Sequence, residues 1–163
     1  MTPPGPEWLV WLEHSAAAVF MRRALWAYPA AEIVHLVGVV LLVGPAVMFD
    51  LRLLGLSAHL PATALARHLL PWSRRGLALV ALSGAALFVS HAPEWAASPA
   101  FRLKMAAVTA AGLNALVFHR RAFRTAIRWD AATRPPRAAR VAAVLSLLLW
   151  GTAIACGRLM AYV

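Results

Sequence analysis

Five side chains that could bind a cofactor lie within or beside the apolar segments of this sequence. They form two groups by their predicted depth, near opposite ends of the apolar segments: His35, His91 and Lys104 in one, and His68 and His119 in the other. A titratable ring in a helix that faces hydrocarbon is energetically costly, so it is a functional-site hypothesis by default. His35 is the main candidate, because it lies about one turn inside the longest apolar stretch of the chain.

The histidines predict haem binding. Imidazole is a common haem ligand, and helix bundles build cofactor sites from side chains on facing helices. We therefore predict a haem b with His35 and His91 as the metal ligands, and with Lys104 binding a propionate or a quinone oxygen as a point charge. A second haem near His119 and His68 would let electrons cross the bilayer or reach a quinone within it. The sequence has no Cys-x-x-Cys-His motif for covalently attached haem.

Two other functions remain open from the residues alone. One is copper handling, because Cu(I) favours thioether and thiolate ligands. Four such residues share a side with His35, namely Met21, Met105, Cys156 and Met160. The other is a structural or accessory subunit without chemistry of its own, in which the histidines fill polar holes or meet water and Lys104 reaches the headgroups.

The composition indicates a membrane protein. Of 163 residues, 62% are hydrophobic and 13% are charged, whereas a soluble domain has about 25% charged residues. The net charge of +10 is typical of nucleic-acid binders as well, but the basic residues lie between apolar segments, as loop charges of membrane proteins do. We therefore expect the bilayer, and not nucleic acid, as the partner of this surface.

Four apolar segments are long enough, at about 20 residues each, to cross a bilayer as helices. We place them at about 30–49, 72–91, 101–119 and 141–161, with the second helix beginning upstream near Ala62. The predicted fold is an all-α, integral membrane four-helix bundle over residues 30–163. Residues 1–29 are too polar to cross and too apolar to be free in water, which predicts an amphipathic helix in the interface, anchored by tryptophans.

Two smaller polar features have structural interpretations. Asn114, in the middle of the third segment, predicts a hydrogen bond to a neighbouring helix. Asp50 and Arg52 follow the first segment, and we expect them to pair with each other or with loop groups.

The arginines predict the orientation. Side A denotes the face at which the first crossing begins, and side B the opposite face. Of the 16 basic residues, five belong to side A and the rest to side B. The side B residues are Arg52, Arg67, Arg74, Arg75, Arg120, Arg121, Arg124, Arg128, Arg134, Arg137 and Arg140. Because positively charged loops stay in the cytoplasm, side B is expected to be cytoplasmic and both termini to lie on the outer face.

Short motifs resemble two families of membrane proteins. The run from His35 to Gly44, a helical histidine followed nine positions later by glycine, resembles the first helix of copper-resistance protein D-like proteins. Phe101-Arg-Leu-Lys104 with downstream Asn114 is similar to a motif of the same family. The histidine and lysine together resemble HemJ-type protoporphyrinogen oxidases, small four-helix proteins that hold haem b, and the resemblance implies functional roles for His35 and Lys104.

The exit from the first crossing, Asp50–Gly55, also resembles that of a group of small bacterial four-helix proteins. These resemblances imply a multi-pass protein of the bacterial inner membrane. A redox partner, a homo-oligomer or a larger complex is compatible with such a protein.

Overall fold

The computed structural model describes residues 6–124, 130, 135–160 and 162. Within these ranges the chain is helical and contains no strand. Seven helices follow one another in the described chain: α1 (Glu7–Glu13), α2 (Ala16–Arg23), α3 (Ala27–Leu54), α4 (Ala62–Ser90), α5 (Ala92–Ala97), α6 (Pro99–Arg120) and α7 (Arg137–Leu159). Of the predicted arginine-rich loop, Arg128 and Arg134 lie outside the described residues, as do residues 1–5 of the N-terminal segment.

Three helices are long and apolar enough to span a membrane, namely α3, α6 and α7. They contain most of the first, third and fourth predicted crossings. The second predicted crossing falls on α4, which begins at Ala62 as the sequence predicted and runs for 29 residues through Pro71. It is not among the helices that are long and apolar enough to span a membrane, of which the described chain holds three by length and composition.

α3 and α4 pack closely side by side, because small residues on each helix face the other. A Cβ atom built on Gly76 would lie 2.4 Å from the backbone nitrogen of Leu42, and one on Gly38 would lie 2.9 Å from Val80. Glycine at these positions lets the two backbones approach, which is how helices associate in lipid. α4 therefore runs antiparallel to α3 along its middle turns.

α7 completes the packing by contacting both α3 and α6. The predicted hydrogen bond of Asn114 is confirmed: its Nδ2 donates to the carbonyl oxygen of Ala142 on α7, at 2.8 Å. A buried apolar cluster closes the side B end, where Phe49 of α3 meets Phe118 of α6 edge to face, with 5.8 Å between ring centroids. The helices thus form a bundle in which α3 and α7 are neighbours.

The N-terminal segment forms two short helices instead of the single helix that the sequence predicted. α1 ends before Ser15, whose hydroxyl accepts from the backbone N–H of Ala18 and so begins α2. α2 packs on α4 and α1 packs on α5. Arg22 fixes this arrangement by donating to the carbonyl oxygens of Ser90 and Glu13, each at 2.7 Å.

Several large aromatic side chains of this segment face outward: Trp8 is 61% exposed, Trp11 72% and Trp26 75%. The segment therefore covers the side A end of α4 and α5 while presenting a tryptophan-rich surface.

At the side B end, Arg52 and Asp130 link the connection between α3 and α4 to the connection between α6 and α7. Arg52, only 2% exposed, donates to the carbonyl oxygens of Leu60 at 2.6 Å and Asp130 at 2.8 Å. The Asp130 carboxylate accepts from the backbone N–H of Thr63 at 2.8 Å and also from the Thr63 hydroxyl. Asp130 thus caps the first turn of α4, whose early N–H groups have no partner within the helix.

Candidate functional site

The His35 ring is held by a hydrogen bond across the α3–α4 contact. Its Nδ1 lies 3.0 Å from the hydroxyl of Ser83, which is 6% exposed. The same hydroxyl donates its single hydrogen to the carbonyl oxygen of Leu79, at 2.5 Å. Ser83 can therefore only accept from His35, which assigns a proton to Nδ1, so that in the neutral ring the lone pair is on Nε2. The backbone of Val80 also forms a hydrogen bond with the ring.

The space for this ring comes from a glycine. A Cβ built on Gly84 would lie 3.1 Å from Cε1 of His35, a tighter contact than side chains normally make. The Ser83-Gly84 pair on α4 thus supplies both the hydrogen-bond partner and the room for an imidazole. The ring itself is half-buried. A neutral, oriented imidazole with Nε2 available is the form that binds a metal.

Lys104 of α6 extends toward the same region from the opposite side. Its Nζ lies 3.5 Å from the position that a Cβ on Gly157 of α7 would occupy. The ammonium acts electrostatically on His35 and interacts with Cys156, which is 4% exposed. The amine is therefore directed to the inside of the bundle, whereas its neighbour Leu103 is 55% exposed.

His91, the second predicted metal ligand, lies at the side A end of α4. Its ring packs edge to face on Tyr28 at 6.2 Å and stacks on Trp95 at 6.4 Å, measured between centroids. Its Nδ1 lies 3.0 Å from Ser90 Oγ, which itself donates to the backbone carbonyl of Leu87, so Nδ1 is the donor in this contact. Tyr28 precedes His35 by seven residues, about 10 Å along a helix, and the described structure brings His35 to Lys104 but not to His91.

The two side B candidates, His119 and His68, are also not in contact with each other. His119 is half-buried between the rings of Phe118 and Phe123, at 5.3 and 5.4 Å between centroids. His68 is exposed on α4. Among the described residues no hydrogen bond or ring contact joins these two histidines, and no group of three or more histidine, cysteine or acidic side chains could hold a metal ion.

Two features of the site were not predicted from the sequence. The first is Ser83, whose role depends on which face of α4 meets α3. The second is the buried carboxyl of Asp50 at the end of α3. Arg52 pairs with loop carbonyls, which was one of the two expectations, and it does not pair with Asp50. One oxygen of the Asp50 carboxyl, Oδ2, is buried without a hydrogen-bond partner. Residues two apart in a helix do not face each other, which explains the separation.

Comparisons of the chain with protein-family models, with curated proteins and with solved structures return no match. The site is therefore interpreted from its own residues.

Proposed function

We propose that this chain is an integral membrane protein that binds haem b through His35 and transfers electrons, with the quinone pool or as a redox subunit. The observation that carries the proposal is the hydrogen bond from Nδ1 of His35 to Ser83, which orients the ring within a helix bundle and, in the neutral ring, places the lone pair on Nε2. Metal-binding histidines are usually oriented by such a bond from their other nitrogen. Bound haem would supply reversible one-electron chemistry.

Lys104 supports the same site from α6. Propionate groups and quinone oxygens both carry or accept negative charge, and a lysine acts on them as a compact cation. The Lys104 amine lies beside Gly157, where the absence of a side chain leaves room next to it. Lys104 is therefore assigned to binding a propionate or a quinone oxygen. Ligation by His91, and a second haem near His119 and His68, stay predictions.

Copper is a second candidate, because Cys156 interacts with Lys104. This places a thiol, the softest ligand available to proteins, in the same part of the bundle as His35. Cu(I) prefers such a ligand, with imidazole as a frequent companion. In this alternative Cys156 and His35 bind the metal.

An absorption spectrum tests the two candidates against each other. The protein is expressed with ample haem, purified in detergent, and analysed for Soret and α bands and for bound copper. We expect the bands in the wild type and in His14→Ala, the matched control, whose exposed ring bonds only to the carbonyl oxygen of Val10. We expect their loss in His35→Ala, and a changed spectrum in His91→Ala if that residue is a ligand.

Other outcomes of this experiment decide between the remaining functions. Copper that is bound without haem, and lost in Cys156→Ser, supports the copper alternative. Absence of both cofactors from the purified wild type overturns both candidates and leaves an accessory subunit.

The proposed topology is a four-helix membrane bundle in which α4 crosses together with α3, α6 and α7. Its support is the close packing of α4 along α3 at Gly76 and Gly38, which requires both helices to share one depth. Arg75 lies over the ring of Trp72, 4.9 Å from its centroid. Such an Arg–Trp pair suits the headgroup region, to which arginine side chains extend from the ends of crossing helices.

The proposed orientation follows from the loop charges. The arginine-rich side B faces the cytoplasm of a bacterium, and both termini lie on the outer face of the inner membrane. The exposed tryptophans of α1 and Trp26, just before α3, would then contact the outer headgroups, where indole rings are favoured.

A further inference from the structure

A second polar site lies at the side B end of the bundle, away from His35. The Asp50 carboxyl is 7% exposed, the Ser146 hydroxyl of α7 interacts with it, and its Oδ2 atom has no hydrogen-bond partner. Asp50 lines a cavity of about 60 Å³, in which the other polar residues are Asn114 and His119. A buried polar atom without a partner carries a large desolvation cost, so a ligand or a proton is expected at this oxygen.

The charged groups around Asp50 do not neutralise it. On α3, Arg52 is directed to the carbonyl oxygens of Leu60 and Asp130. On α6, His119 lines the cavity, and Arg74 of α4 acts electrostatically on His119. α7 contributes the neutral hydroxyl of Ser146 and apolar side chains.

We infer that Asp50 is a proton-binding site, and that water in this cavity exchanges its proton with the side B aqueous phase by way of His119. A space of about 60 Å³ exceeds the roughly 15 Å³ that one water needs, and the polar residues give such water two or more partners. Chains of acidic and histidine side chains inside membranes are typical of proton relays. This site is separate from the proposed haem site at His35 and does not depend on it.

A metal cation fits the cavity less well than a proton. Hard cations require six or more oxygen ligands at close range. The cavity lining offers one carboxylate and one amide side chain, and the helical carbonyls beside them are already hydrogen-bonded within their helices. The remaining lining residues are alanine, leucine and phenylalanine, which provide no ligand.

Infrared spectroscopy of labelled protein in lipid vesicles tests the inference. The chain has two aspartates, Asp50 and Asp130, so ¹³C-aspartate labelling in Asp130→Asn isolates the signal of Asp50. We expect a protonated carboxyl band that disappears reversibly as the pH is raised, shifts in D₂O, and is lost in Asp50→Asn. We also expect slower D₂O exchange in His119→Gln, with the band itself retained.

Three results would overturn the inference. Absence of a protonated carboxyl band across the whole pH range would exclude proton binding at Asp50. Loss of the band on adding Na⁺ at constant pH and ionic strength would identify a cation site instead. An unchanged exchange rate in His119→Gln would exclude the route through that histidine.

Discussion

Nδ1 of His35 on α3 lies 3.0 Å from the hydroxyl of Ser83 on α4, and this bond crosses the close, glycine-lined contact between the two helices. The orientation of the ring therefore depends on the packing of two helices rather than on α3 alone. Any change that moves α4 relative to α3 alters the direction in which Nε2 points.

Replacing Ser83 by alanine should weaken cofactor binding without removing the ligand. Loss of an orienting partner lowers metal affinity by about 10–100-fold in metalloproteins, and we expect a comparable loss of haem affinity in Ser83→Ala. Thr152→Ala is the matched control, since that hydroxyl also bonds to its own helix, at Leu148, but lies far from His35 in the sequence. Titration of both purified apoproteins with haem measures the difference. Equal affinities would show that Ser83 does not orient the ligand.

A methyl group at Gly76 should destabilise the helix pair. The added Cβ would lie 2.4 Å from the backbone nitrogen of Leu42 and 2.6 Å from the carbonyl carbon of Leu41, and neither backbone atom can move aside. We expect Gly76→Ala to cost about 1–3 kcal/mol, as overpacking does. In Gly112→Ala the new methyl meets nothing within 4 Å, so that helix should gain about 0.5–1 kcal/mol. Thermal unfolding in detergent compares the two; equal midpoints would contradict the close contact.

The sequence predicts the local features of this chain but not the contacts between its distant segments. The apolar run after Pro29 and the start of α4 at Ala62 were predicted, because hydrophobicity and helix signals are local properties of the chain. The break between α1 and α2 was missed, although Ser15 is a typical N-cap residue. The partners of His35 and Asp50 were missed for another reason: they depend on which faces of α4 and α7 turn inward, and this is set by packing between distant segments.

Asp130 should stabilise the fold at neutral pH and cease to do so in acid. Burial alone would raise the pKa of Asp130, but the hydrogen bonds from Thr63 and Ala62 and the charge of Arg52 outweigh it and hold this pKa below its usual value of 3.8. A carboxyl whose pKa is lower in the folded chain stabilises it above the unfolded pKa, and the contribution is lost as the pH falls through the folded pKa.

We therefore expect Asp130→Ala to lose about 1 kcal/mol at pH 7, as other cap deletions do, and to match the wild type in strong acid. Asp130→Asn keeps an acceptor for the N–H of Thr63 and should lose less. Unfolding midpoints measured from pH 7 down to about pH 2, to pass below the lowered pKa, provide the comparison. A difference between wild type and Asp130→Ala that did not shrink in acid would contradict the role of the charge.

Labelling of single cysteines should place the two ends of α4 on opposite sides of the membrane. The chain has one cysteine, so Cys156→Ser provides a background that is expected not to react. Into it we would introduce Ala58→Cys, between α3 and α4, or Ala97→Cys, at the end of α5; both positions are exposed.

If α4 crosses, a membrane-impermeant maleimide added to intact spheroplasts should label position 97, and label position 58 only after permeabilisation. Labelling of both from outside would show that α4 does not cross, and labelling of position 58 alone would reverse the orientation that the arginines predict.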